Sequence, residues 1–247
     1  MEAFIRVMES TIAVKDPYTV VHQRQVTRIA CTIAQELGLS EDRLRDLCIA
    51  GALHDLGKIA IPSSLLAKSG KLNPMEFALL KTHPQVAYNI LKPIKLPGNA
   101  AEIILQHHER LDGSGYPQGL MGYAIFLEAR ILGVADVIEA MCSHRPYRAS
   151  LGLTVTLEEL NRNKGVLYDP AVVEIGLQLF APSQAVTQTE TCGIAAAAVT
   201  HLHYSAFRPG AAPVQKESSL SEEYPWLKNW GGEYAPLSPS RVGRNHY

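Results

Sequence analysis

The chain carries a His-Asp pair, His54-Asp55, inside Gly51-Ala52-Leu53-His54-Asp55-Leu56-Gly57-Lys58, a His-His pair at His107-His108, and further histidines at His22 and His83. Neutral imidazole and ionised carboxylate are borderline donors that suit iron, manganese, nickel or zinc, whereas magnesium and calcium sites are built almost wholly from oxygen. A carboxylate has two oxygens, so Asp55 can bridge two ions. Asp136 stands in the apolar run Ile131-Leu132-Gly133-Val134-Ala135-Asp136-Val137-Ile138, where an acid is costly to bury without a cation or hydrogen-bond donors around it. It is a natural fourth ligand. Each histidine taken alone is as readily a surface or hydrogen-bonded core residue. These histidines together with two acids inside helical patterns point to a metal site.

The elements that must position these groups read as helices. Val26, Ile29, Ala30, Ile33, Ala34 and Leu37 fall at helical spacing, which predicts an amphipathic helix from about Thr19 to Leu37, stopped by Gly38, with His22 in its first turns. A second helix is expected from Asp42 to Leu56, with Leu44, Leu47, Ala50 and Leu53 inward and His54-Asp55 at its C-terminal end. Asn73-Pro74-Met75-Glu76 combines an N-cap residue, proline at the first helical position and an acid at the third. The helix it starts delivers His83, and Pro84 bends or restarts it. Ala100 to Glu109 is expected to end in His107-His108, Leu127 to Met141 to carry Asp136, and Asp169-Pro170 to open a helix through Phe180. No run alternates as a strand, so the expected fold is all-α.

At 247 residues with 47% hydrophobic content, the chain is long enough for one cored domain with an appendage. A formal charge of -1 argues against a broad DNA, RNA or anionic-membrane surface, so any phosphate must be gripped locally. Cys31, Cys48, Cys142 and Cys192 show no CxxC pairing, which favours reduced thiols over a disulfide framework or zinc knuckle. No signal-peptide pattern and no uncharged apolar run of spanning length occurs. A cytoplasmic protein without membrane insertion is expected.

Several blocks in order now carry a resemblance: Asp16-Pro17-Tyr18-Thr19, then His54-Asp55-Leu56-Gly57-Lys58-Ile59-Ala60-Ile61-Pro62, then His107-His108-Glu109-Arg110-Leu111-Asp112-Gly113-Ser114-Gly115-Tyr116-Pro117, then Val134-Ala135-Asp136 and Arg145-Pro146-Tyr147-Arg148. From about Asp16 to Phe180 the chain resembles the HD-GYP domain, the all-helical branch of HD-type metal phosphohydrolases that hydrolyse bacterial cyclic di-GMP. An isolated His-Asp pair is weak evidence, but these blocks in this order are highly specific. The resemblance implies a helical bundle with a dinuclear centre. One ion would be held by His22, His54, Asp55 and Asp136, and the second by Asp55, His83, His107 and His108. The metals implied are iron or, in some members, manganese. Two such ions acidify a shared water enough to attack phosphorus at neutral pH.

Lys58 follows Asp55 by three residues, so a helical turn past Gly57 would bring its ammonium to the same cleft. In the family that lysine touches the scissile phosphate, although a helix-end cation facing the C-terminal dipole is also common. Asp112 to Pro117 has turn chemistry throughout. In the family this GYP loop, with Tyr116, shapes the substrate pocket and helps dock partners such as diguanylate cyclase (GGDEF) domains. Arg145 and Arg148 can fork to phosphate or stack on guanine, or salt-bridge at the surface; the resemblance favours ligand binding.

Three positions depart from the family pattern. Tyr18 replaces the glutamate with which some members bind a third metal, so two ions are expected. Gln25 replaces an arginine, and Glu139 replaces an aspartate three residues after Asp136, keeping the charge on a longer arm. The expected organisation is a helical lead-in over 1-15, a catalytic domain over 16-181, and a loosely ordered C-terminal tail over 182-247. That tail holds Trp226, Trp230 and an incidental His201/His203 pair. The function implied is hydrolysis of cyclic di-GMP to pGpG and/or GMP. The alternatives are a noncatalytic cyclic-dinucleotide-binding or protein-docking module, or a phosphohydrolase for another nucleotide.

Overall fold

The structure, a computed structural model, describes residues 1–144 and 149–180. Arg145, Arg148, Cys192, the His201/His203 pair, both tryptophans and the expected tail lie outside the described residues. The described chain is helical: α1 (Glu2–Lys15), α2 (Pro17–Glu36), α3 (Glu41–Leu53), α4 (Ser63–Leu66), α5 (Pro74–Leu80), α6 (His83–Leu91), α7 (Ala100–Gln106), α8 (Leu127–Cys142), α9 (Leu153–Arg162) and α10 (Pro170–Phe180). No strand occurs among the described residues, only two isolated bridges, Asp112 with Met121 and Lys164 with Tyr168.

Local chemistry sets the helix starts. Asp16 caps α2 by accepting from the Tyr18 backbone N–H at 3.0 Å and the Thr19 hydroxyl at 2.7 Å. Asn73 and Glu76 form the reciprocal box expected of α5: the Glu76 N–H donates to Asn73 Oδ1 at 2.9 Å and the Asn73 N–H to Glu76 Oε2 at 2.8 Å. That helix stops at Leu80 and Pro84 restarts the chain, so His83 is the first residue of α6 rather than the last of α5. Likewise α3 ends at Leu53 and a 3-10 turn follows from Leu56 to Ala60, which sets His54-Asp55 in the joint between the two.

The core forms where α2 packs on α3 and α8, and α7 packs on α3, α6 and α8. Ile33, Leu47, Leu53, Ile103, Ile104, Ile131 and Leu132 are fully buried there. At about 1.5–3 kcal/mol for each such side chain, this burial outweighs the modest helix propensity of the isoleucines. The lead-in helix α1 packs on α2 and α3 through Ile5 and Ile12. Two glycines set the closest approaches. A Cβ at Gly57 would collide with the backbone carbonyl of His83, and one at Gly133 would lie 2.6 Å from that of His107. Glycine at these positions lets the Asp55 turn lie against the start of α6, and α8 against the end of α7.

Two features were not foreseen. Cys31 of α2 and Cys48 of α3 lie side by side, their Cα atoms 6.5 Å apart, and Cys142 is buried with its sulfur 3.4 Å from the Thr156 hydroxyl. Separated by 17 positions and with no local motif, Cys31 and Cys48 meet only because the helices pack side by side. Helix α9 was also not foreseen: Leu153-Thr154-Val155-Thr156 is rich in β-branched residues that lower helix propensity. Packing against α8, with Thr156 and Leu160 buried, stabilises it. No described helix is long and apolar enough to cross a membrane.

Candidate metal centre

Five helix ends or faces deliver the donors to one place. His22 comes from the first turns of α2, His54 and Asp55 follow α3, His83 opens α6, His107 and His108 follow α7, and Asp136 lies mid-way along α8. His54, Asp55, His83 and His107 are each no more than 1% exposed. Adjacent imidazoles sit with ring centroids 5.5 Å apart for His22 and His54, 5.1 Å for His54 and His107, 5.1 Å for His83 and His108, and 4.0 Å for His107 and His108.

The orientation of the rings follows from the helix ends themselves. Nδ1 of His54 faces the carbonyl of Gly51 at 2.8 Å, Nδ1 of His83 that of Leu80 at 2.8 Å, and Nδ1 of His107 that of Ile104 at 2.6 Å. A carbonyl only accepts, so Nδ1 carries the proton and Nε2 keeps a lone pair for the cluster. Those three Nε2 atoms, with Asp55 Oδ1, are buried and have no hydrogen-bond partner. Unpartnered donors and acceptors at such depth are expensive unless something else engages them, and converging lone pairs are what a cation engages. The residues fit a bound metal.

The donors fall into overlapping groups whose ligand atoms lie within 4.8 Å of one another: His22, His54 and Asp136; His54, Asp55 and His107; and His83, His107 and His108. Asp55 stands between them, its Oδ2 3.7 Å from His22 Nε2 and 3.6 Å from His54 Nε2, and its Oδ1 3.5 Å from His83 Nε2. All seven donors singled out in the sequence are therefore brought together.

Electrostatics prepare the site for cations. Burial pushes the basicity of His54, His107 and His108 down and takes His83 from 6.5 to about 4, so these imidazoles are neutral, as ligands must be. His22 differs. Burial acts to lower it, but hydrogen bonds with Asp136 and Glu139 outweigh that and raise it to about 9. Burial would raise the acids, yet Lys58 and the cationic His22 hold Asp55 well below the usual carboxylate range, and His22 does the same for Asp136.

Of the residues expected to meet substrate, Lys58 reaches the cleft and donates to Asp55 Oδ2 at 2.6 Å. Tyr116 lies with its ring centroid 4.7 Å from that of His108 and 6.5 Å from that of His83. Arg145 and Arg148 fall outside the described residues. One contributor was missed. Glu109, buried just after His108, accepts from the backbone N–H of Gln118 at 2.7 Å and of Leu120 at 3.0 Å, tying down the loop that carries Tyr116. Glu139, noted in the sequence only for keeping the family's charge three residues after Asp136, hydrogen-bonds His22 Nδ1.

A helical bundle that buries a His-Asp cluster at its helix ends defines a class of metal-binding scaffold. The chain belongs to the HD domain family, with the HD domain model matching residues 6–172. It is 44% identical over 165 residues to the cyclic di-GMP phosphodiesterase response regulator RpfG of Xanthomonas campestris pv. campestris, covering 66% of this chain and 44% of that protein. A cyclic di-GMP phosphodiesterase of Thermotoga maritima is 41% identical over 167 residues, covering 67% and 45%. The 3'3'-cGAMP-specific phosphodiesterase 1 of Vibrio cholerae is 38% identical over 146 residues, covering 59% and 34%. The chain thus spans less than half the length of these curated relatives. Among solved structures, an HDG"Y"P protein from Bdellovibrio bacteriovorus superposes with a TM-score of 0.53 at 21% identity, over 62% of this chain and 49% of that one. This likeness concerns the fold.

Proposed function

We propose that the chain is a metal-dependent phosphodiesterase that hydrolyses cyclic di-GMP to pGpG and/or GMP in bacterial second-messenger signalling. The observation that carries this is the set of buried, unpartnered Nε2 atoms converging on the shared carboxylate Asp55; relatives named for cyclic di-GMP hydrolysis support the substrate. His22, His54, Asp55 and Asp136 would hold one ion, and Asp55, His83, His107 and His108 the other, with iron the expected metal and manganese the alternative. When bound, the ions supply an acidified water and neutralise charge gathering on phosphorus.

The chain's own residues do the rest. Lys58 holds Asp55 by hydrogen bond and brings its ammonium to the cleft, where an oxygen of the scissile phosphate can take a second bond from it. The water oxygen bonds to phosphorus, one ester bond of the ring breaks, and the departing ribose oxygen takes up a proton, leaving a phosphate monoester. Burial pushes the Tyr116 hydroxyl up, so it stays a neutral phenol able to donate. Its ring closes the cleft beside His108. Arg145 and Arg148 are assigned to the dinucleotide's phosphates and bases. The exposed Met121 and Tyr123 on the loop favour it as a docking face for a diguanylate cyclase (GGDEF) domain. A cytoplasmic location goes with a nucleotide messenger as substrate.

A second reading, hydrolysis of 3'3'-cGAMP, is favoured by the similarity to the Vibrio cholerae enzyme. Metal analysis and turnover of both cyclic dinucleotides by anaerobically purified protein test the proposal. Two ions per chain, with linear product formed and lost on chelation, are expected. Full metal occupancy without turnover would instead identify a noncatalytic binding module.

A further inference from the structure

The five imidazoles are not oriented alike. His54, His83 and His107 each turn Nδ1 to a backbone carbonyl three residues earlier, a neutral acceptor that comes with the local fold. His22 instead turns Nδ1 to the carboxylate of Glu139, 117 residues away on α8, and both side chains are buried. On the opposite edge of the same ring, His22 Nε2 lies 3.1 Å from Asp136 Oδ1. Asp136 and Glu139, one helical turn apart, thus grip the two nitrogens of one imidazole from the same face of α8.

From this we infer that Glu139 is a positioning residue which makes the two metal positions unequal. It fixes His22 with Nε2 toward the cluster and enriches that ring as a donor, so that the ion held by the His22 half binds more tightly than it would on a neutral partner. The inference rests on the dinuclear reading but concerns affinity rather than hydrolysis. A carboxylate on the far nitrogen of a ligating histidine raises its basicity, and removing such a partner typically costs about 10–100-fold in metal affinity. In the other half, His83 and His107 are oriented by neutral backbone carbonyls.

The test is stepwise titration of the whole, metal-free protein with Mn2+ alone, following free Mn2+ by its electron paramagnetic resonance signal. In Glu139→Ala one of the two binding steps should weaken by about 10–100-fold while the other stays within a factor of about three. Glu139→Gln keeps the size and an oxygen acceptor but loses the charge, so it should lie between wild type and Glu139→Ala. Glu139→Asp, which restores a carboxylate, should recover most of the loss. Circular dichroism of each variant shows whether the helices persist, and the Gln variant carries the test if Glu139→Ala fails to fold. Equal weakening of both steps, or wild-type binding in both Gln and Ala variants, would overturn the inference. A wild type that takes up a single ion, weakened in Glu139→Gln, would overturn the dinuclear reading yet sustain the role of Glu139. A wild type that takes up none would overturn both.

Discussion

In the centre, His54, His83 and His107 stand at helix ends and each is turned by a carbonyl of its own chain three residues back. The loop beside it, from Arg110 to Phe126, has a single 3-10 turn at Gly122–Ala124 and leans on side chains: Glu109 on the Gln118 and Leu120 N–H groups, and Asp112 on Ser114. The difference teaches where precision resides. Metal ligands inherit theirs from packed helices, so their geometry is restored whenever the core forms. Groups that face substrate borrow theirs from a few staples, which can be cut one at a time.

The sharpest way to break the comparison is Asp55→Ala. It removes the one carboxylate that faces His22, His54 and His83 together, and leaves Lys58 without its partner. Both ions should be lost and turnover abolished, several kcal/mol being the scale of charge neutralisation that goes with them. Elemental analysis and cyclic di-GMP turnover check this. Two tightly held ions in that variant would show that Asp55 is not the shared ligand.

Next in size is the loop. Glu109→Ala removes two charge-assisted hydrogen bonds that staple the loop, each about 1.5–3 kcal/mol, so the loop should loosen while the metal content stays at the wild-type level. The expected result is a fall in kcat/KM of about tenfold or more, with faster hydrogen exchange at Gln118 and Leu120. Loss of metal alongside would mean that the loop and the centre form one unit, and the contrast between them would fail.

A smaller loss is expected at the arginines. Arg148→Ala should weaken substrate use by about 1.5–3 kcal/mol, the range of a charge-assisted hydrogen bond, with metal content unchanged. Normal kinetics in the Arg145→Ala/Arg148→Ala double variant would assign these residues to structure or to another partner.

How much of this was legible in the sequence follows the same divide. His54, Asp55, His107 and His108 could be placed because apolar periodicity ends where they begin, and the cap at Asn73 fixed the start of α5. What periodicity cannot express is which helices become neighbours. The approach of Cys31 to Cys48 and the contact of His22 with Glu139 are both meetings between packed helices. The first was not foreseen, and the second was noted only as a longer arm at position 139. The hold of Glu109 on the loop was hidden for a related reason: its partners are backbone amides, which leave no mark on residue type. Helix α9 was missed because its first turn has strand-like composition, and tertiary packing overrides propensity there.

The smallest effect should come from outside the described residues. Every proposed ligand and phosphate contact lies at or before Arg148, and α10 ends at Phe180, so a chain ending at Ala181 should fold, bind two ions and turn over substrate about as well as the full protein. The rival idea is that the segment around Trp226 and Trp230 docks on the domain and extends the contrast to a third region. Residues 1–181 contain no tryptophan, which makes indole emission a clean probe. Docking would bury the rings, giving blue-shifted emission protected from quenchers in the full chain. If that emission appears and truncation also lowers stability or activity, the catalytic unit extends past Ala181. Solvent-exposed emission together with an undiminished truncated chain would leave the chemistry wholly to the helices and the loop.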